Sequence, residues 1–285
     1  MAGVSSEYGK LRKVLLCKPD YFEWLPVNET ALKYLRLGQS FTVEDAQKQH
    51  QEFSDAFRSA GVEILYVEPR KGLTYQVYTR DIGKNTRKGV LLGGFRWPVR
   101  QDETSLYEKF FTNQGIPIFG KVSKGIFEGG DIHYIDNETM VCGSGARSEK
   151  EGMEEAGKLL KEGLGINLIA VELPADLCHL DLAFTRVAER ACLACVEILP
   201  DSFLKMLKDR KIEIIEVPKK EAIDLKCNVV TIDDKTVMSF KENTDVNHKL
   251  EALGFEVFKP HMSIFTRGGG GPRCSCFPLE RDEEM

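Results

Sequence analysis

Four times along this chain a stretch of helical periodicity is followed by a glycine and an apolar-x-apolar triplet. The four are Gly61-Val62-Glu63-Ile64, Gly115-Ile116-Pro117-Ile118, Gly165-Ile166-Asn167-Leu168 and Gly254-Phe255-Glu256-Val257. Glycine suits the left-handed position just past a helix, and the alternating triplet opens a strand. The same helix-to-strand step recurs with a period of roughly 50 residues, which argues for copies of one small α/β unit. Taken alone, the repeat leaves a solenoid, a barrel and an open sheet open.

The rest of the pattern agrees. Strand-like runs are expected over residues 13–17, 62–67, 89–92, 116–118, 132–135, 139–142, 167–171, 191–198, 212–217, 229–232, 236–240 and 256–258. Helical periodicity covers 43–60, 105–114, 149–163, 201–209 and 246–254, the first with Thr42 as N-cap and Gly61 just beyond its end. No linker or low-complexity tract interrupts the alternation, so residues 1–285 are expected to form one α/β domain.

A net charge of -5 with signs interspersed argues against a nucleic-acid partner, since no basic block exceeds short pairs such as Lys219-Lys220. No run approaches the roughly 18 apolar residues of a membrane span, and the first residues lack a signal-peptide pattern. A cytoplasmic protein is expected, with its eight scattered cysteines reduced. Cys192-Leu193-Ala194-Cys195 has metal or redox spacing but no second ligand pair, and reads as structural.

Four segments concentrate chemistry. Arg267-Gly268-Gly269-Gly270-Gly271-Pro272-Arg273-Cys274-Ser275-Cys276 sets a thiol on a glycine-built loop beside arginines, whose charge favours thiolate. Thr79-Arg80-Asp81 ends an aromatic run, and Glu128-Gly129-Gly130-Asp131 places carboxylates around a glycine pair. In Cys178-His179-Leu180-Asp181, spacing two on a strand would turn His179 and Asp181 to one face. Asp131 reads equally well as a turn cap, and Cys276 as a packed thiol.

These pieces, with the opening Gly-Lys-Leu-Arg-Lys-Val-Leu-Leu at residues 9–16, resemble in the same order those of the guanidino-modifying (amidinotransferase) superfamily, most closely arginine deiminase. The chain is shorter than arginine deiminases and lacks their helical insertion; in length it is nearer dimethylarginine dimethylaminohydrolase or the arginine dihydrolase domain. The resemblance implies a pentein, a five-bladed α/β propeller of pseudo-symmetric ββαβ units with its site on the axis. It also implies catalysis without metal or cofactor and a small guanidino amino acid as substrate, with a homo-oligomer left open.

A guanidinium carbon resists water, so the implied site must bind, polarise and attack it. Asp81 and Asp181 would accept paired N–H bonds from the group. Cys274 would attack, His179 would act as acid and then base, and Glu128 would orient the imidazole. Arg100 and Arg147 sit where the related enzymes hold the substrate's carboxylate. Asp181 favours unmethylated nitrogens, hence arginine to citrulline and ammonia. Release of dimethylamine from methylated arginine and a dihydrolase giving ornithine are the alternatives, followed by a non-catalytic binding pentein.

Overall fold

The computed structural model describes residues 3–283, so residues 1–2 and 284–285 of the expected domain lie outside the described part. Its clearest local signal is α2 (Val43–Ser59). Thr42 and Asp45 form a reciprocal capping box, and Gly61 follows with φ of 73°. Ala46, His50, Phe53, Ser54 and Phe57 form its buried stripe, at the spacing of one helical face. Each fully buried phenylalanine there contributes about 1.5–3 kcal/mol.

That helix belongs to the first of five similar units. Its strands are β1 (Leu11–Cys17) and β2 (Glu63–Val67), joined through α1 (Glu29–Arg36) and α2. The second has β3 (Gly83–Thr86), β4 (Gly89–Leu92), α3 (Glu103–Asn113) and β5 (Ile118–Lys121); the third, β6 (Ile132–Tyr134), β7 (Thr139–Ser144), α4 (Lys150–Leu164) and β8 (Asn167–Glu172). The fourth has β9 (Phe184–Ala188), β10 (Ala191–Ala194), α5 (Asp201–Asp209) and β11 (Glu213–Glu216). After α6 (Lys219–Ile223) come β12 (Val230–Asp233), β13 (Thr236–Met238), α7 (Thr244–Ala252) and β14 (Glu256–Phe258). Finally α8 (Ser263–Gly268) leads to β15 (Phe277–Arg281), which completes the first sheet as β15-β1-β2.

In every sheet the middle strand pairs antiparallel with one neighbour and parallel with the strand that follows the helix. The ββαβ order is that of a pentein. Middle strands such as Val90-Leu91-Leu92 are buried throughout, whereas the outer β8 is largely exposed.

The strands that were not expected, β3, β9 and β15, lie inside. They escape an apolar-pattern reading because they are buried yet polar, carrying Lys84, Asn85, Arg186 and Arg281, or contain a proline, Pro278. Their polar groups bond between units. Asn85 donates to the Leu279 carbonyl at 2.7 Å, Thr231 to the Arg186 carbonyl at 2.6 Å and Arg281 to the Thr231 carbonyl at 2.7 Å. Polar side chains thus replace sheet ladders as the links around the axis, and burial is tolerated because each has a partner.

Candidate active site

Each of the five inner strands is entered through a short turn, and these turns bring Asp81, Glu128, His179, Asn228 and Cys274 to one end of the axis. In sequence they lie 47, 51, 49 and 46 residues apart, the period of the units themselves. Sequence reasoning found four of the five. Asn228 was missed because Cys227 and Val229 flank it with no glycine; the repeat period is the signal that would have found it.

Cys274 is buried at the end of the loop after α8. Its carbonyl accepts from the Arg80 N–H at 3.0 Å, tying the loop to the turn that carries Asp81. The Asn228 side-chain oxygen accepts from the backbone N–H groups of Arg273 and Cys274 at 3.0 and 3.2 Å, while Asn228 Nδ2 lies 3.1 Å from Cys274 Sγ. Sγ is also 3.6 Å from Asp181 Oδ2. A side chain at Gly271 would place its Cβ 2.7 Å from the Asn228 oxygen, so this position must remain glycine.

The expectation that neighbouring arginine favours the thiolate is overturned. Arg273 turns away from the sulfur to Asp181 Oδ2 at 2.9 Å and the Ile132 carbonyl at 3.1 Å. Burial, followed by the Asp181 and Asp81 charges, pushes the Cys274 thiol well above its ordinary range. Without a cation in the pocket the sulfur is protonated.

His179 and Asp181 are not on a strand, which corrects the same-face argument. His179 is the extended residue preceding a single 3-10 turn, Leu180–Leu182, that holds Asp181. Asp131 fixes that turn, accepting from the Leu180 N–H at 3.0 Å and the Ser148 hydroxyl at 2.7 Å, and so serves as a brace. His179 Nε2 is 2.8 Å from Glu128 Oε2, and its Nδ1 is 3.8 Å from Asp81 Oδ1. Burial opposes charge on this imidazole, and the Cys178 sulfur with the Asp81 and Asp131 carboxylates outweighs it, so its pKa lies well above the usual value. Burial likewise raises Glu128, but the His179 bond and the Arg147 charge hold it below the normal carboxylate range. The two form an imidazolium–carboxylate pair. At Gly130 a Cβ would lie 2.5 Å from His179 Nδ1, so the glycine pair gives the ring its space.

Asp81 accepts from Arg100 Nη1 at 2.5 Å through Oδ2; its buried Oδ1 has no hydrogen-bond partner. Asp181 Oδ1 is also buried and unpartnered. The two expected carboxylate-binding arginines separate. Arg100 gives bonds to Asp81, to both Glu103 oxygens and to the Tyr78 carbonyl, leaving one of a guanidinium's five N–H donors. It is the holder of Asp81. Arg147 instead lies over the Trp97 ring at 4.6 Å, reaches Glu128 only at 3.3 Å, and lines the pocket mouth.

The cleft at these groups is walled by Tyr75, Tyr78, Trp97 and Asn28. Asp81, Glu128 and His179 offer ligand atoms within 4.8 Å of one another. With its Nε2 2.8 Å from Glu128 Oε2, His179 is placed to share a proton with that carboxylate, beside Asp81. Among the described residues no helix is long and apolar enough to cross a membrane.

The same fold occurs in the N-terminal domain of ArgZ, an arginine dihydrolase from the ornithine–ammonia cycle in cyanobacteria, solved bound to product. It is 20% identical, with a TM-score of 0.82 over 95% of this chain and 98% of that chain. Fold and relatives together define a class, the cysteine-dependent hydrolases of C–N bonds in linear amidines, whose substrates are guanidino compounds. Within it the chain belongs to the family N,N dimethylarginine dimethylhydrolase, eukaryotic, whose sequence pattern matches residues 18–281. It is 32% identical to the uncharacterized protein YkgA of Bacillus subtilis (strain 168), over 98% of this chain and 95% of YkgA. It is 24% identical to arginine deiminase of Streptococcus equi subsp. zooepidemicus (strain MGCS10565), over 98% of both.

Proposed function

We propose that this chain, acting as one catalytic domain, hydrolyses free arginine or a close guanidino acid with an unsubstituted terminus to citrulline, or the corresponding ureido acid, and ammonia. The observation that carries this reading is the pair of buried, unpartnered oxygens, Asp81 Oδ1 and Asp181 Oδ1, beside Cys274. A buried carboxylate oxygen without a donor costs roughly 1–3 kcal/mol, which N–H groups of a guanidinium would recover and N-methyl groups would not.

The cation would also prepare its own attacker. Positive charge between Asp81 and Asp181 offsets the two carboxylates that hold the thiol protonated, so the proton leaves as substrate enters. Sγ then bonds to the guanidinium carbon. His179, already a cation, gives a proton to the departing nitrogen, the C–N bond breaks, and ammonia leaves an S-alkylthiouronium. The neutral imidazole next takes a proton from water as oxygen adds to the carbon. The C–S bond breaks, the thiolate is restored, and the proton lost by the product passes to ammonia. Glu128 holds the imidazole in register, and Arg147 binds the carboxylate at the far end.

Family membership favours a second reading, release of dimethylamine from asymmetric dimethylarginine. Quantifying ammonia, citrulline, ornithine and dimethylamine after incubation with a panel of guanidines separates the readings. Arginine should give citrulline and ammonia in equal amounts; equal or faster turnover of dimethylarginine would overturn the arginine reading.

A further inference from the structure

We infer that Asn228 is a catalytic residue of this site: its side-chain amide holds Cys274 Sγ in line and donates to it whenever the sulfur carries negative charge. The inference rests on the cysteine-hydrolase reading above. It gives the fifth unit a chemical part equal to those of the other four.

The orientation of the amide is determined. Its oxygen accepts from two backbone N–H groups, those of Arg273 and Cys274. An oxygen on that side leaves the NH₂ facing Sγ, and a flipped amide would set donors against donors. Asn228 is wholly buried, so no water competes for that N–H. Sγ meets acceptor groups elsewhere: Asp181 lies at 3.6 Å, and the Tyr78 hydroxyl gives its proton to the Phe265 carbonyl.

The backbone that delivers Asn228 is strained. At the end of α6 the chain turns through Leu225 with φ of 68°, the left-handed post that glycine ordinarily fills. Leucine, with its Cβ, is disfavoured there, and the residue is buried rather than relaxed in solvent. The Asn228 N–H bonds to the Leu225 carbonyl at 2.9 Å, so the strained turn sets the direction of the asparagine.

Sulfur gains charge when the thiol ionises, loses it when the C–S bond forms, and regains it when that bond breaks. A donor fixed on Sγ favours the first and last of these states, aiding the sulfur as nucleophile and again as leaving group. The charged groups around Sγ are Asp181, Asp81 and His179, with the Arg273 guanidinium held on Asp181, and none of these charged side chains hydrogen-bonds to the Asn228 amide.

The test compares Asn228→Ala and Asn228→Asp with the wild-type chain. Alkylation of Cys274 in the folded protein by iodoacetamide is followed, by mass spectrometry of its peptide, at a series of pH values from neutral well into the alkaline range, without substrate. Both variants should shift the midpoint upward, with alkylation at neutral pH slowed at least tenfold. Asn228→Asp should shift further, since it keeps the acceptor for the two N–H groups and replaces the donor by a charge. kcat should fall at least tenfold while KM changes little. An alkylation profile that superimposes on wild type in Asn228→Asp, the variant that preserves the loop contacts, would overturn the role even if activity were lost. Because alkylation needs no substrate, its outcome stands apart from the product panel that tests the reaction itself.

Discussion

Two cysteines two residues apart meet different surroundings. Cys274 Sγ lies against Asn228 and Asp181, whereas Cys276 Sγ is packed against Arg80 at 3.7 Å on the far side of the turn. Cys274→Ala should abolish turnover, and Cys276→Ala should keep most of it; an acid-quenched reaction should show the adduct on Cys274 by mass spectrometry. Asp181 also neutralises buried Arg273, so deleting it would leave a charge unpaired at a cost of about 3–5 kcal/mol. Asp181→Asn is the sharper variant: kcat/KM for arginine should fall on the order of 10²-fold, a charge-assisted bond and carbon placement being lost together. Wild type should disfavour asymmetric dimethylarginine by a similar factor, as steady-state kinetics on both compounds will read. The arginines part company in the same assay. Arg147→Ala should raise KM for arginine and leave the slow reaction of a carboxylate-free guanidine such as agmatine unchanged, whereas Arg100→Gln should impair both, because it frees Asp81.

Among the elements, α2 carries a consequence for acid stability. His50 sits in its buried stripe with Nε2 unpartnered, and burial lowers its pKa to about 4 from 6.5. A depressed folded-state value means that the stability is present above pH 6.5 and is lost as pH falls through about 4. Over that window this group accounts for up to about 3 kcal/mol, and His50→Phe should flatten the loss, measured as urea midpoints at a series of pH values. The elements also show what could be read without coordinates. α2 and the middle strands were legible because their apolar residues keep one period. The motif turns at Asp81, Glu128 and Cys274 were legible because close packing demands glycine near the reactive group, as at Gly130 and Gly271, and the turn at His179 through its nearness in sequence to Asp181. The inner strands β3, β9 and β15 were not, since Lys84 and Arg186 are buried through partners distant in sequence and β15 carries Pro278 and a buried Arg281. The charge state of Cys274 was misread for a related reason: nothing in Arg273-Cys274 tells that the guanidinium turns to Asp181.

At the scale of the whole molecule, the first sheet is completed by the last strand. β15 pairs with β1 from Leu11↔Arg281 to Leu15↔Phe277, and Phe277 and Leu279 fill the core with Leu15, Ile82 and Phe111. A chain ending at Cys276 should therefore fail to give a cooperative thermal transition by circular dichroism, a result that retention of a wild-type melt would contradict. The same closure orders events in time. Strand β1 cannot find its antiparallel neighbour until residues 277–281 have followed some 260 residues later, a long-range contact of the kind that delays folding. Cys274 sits three residues ahead of that strand. Until the ring shuts, the thiol has no Asn228, His179 or Asp181 around it, so the site cannot assemble before residues 277–281 have been made. A nascent chain can hold four finished units and still carry a sulfur no more dangerous, to itself or to the metabolites around it, than any other.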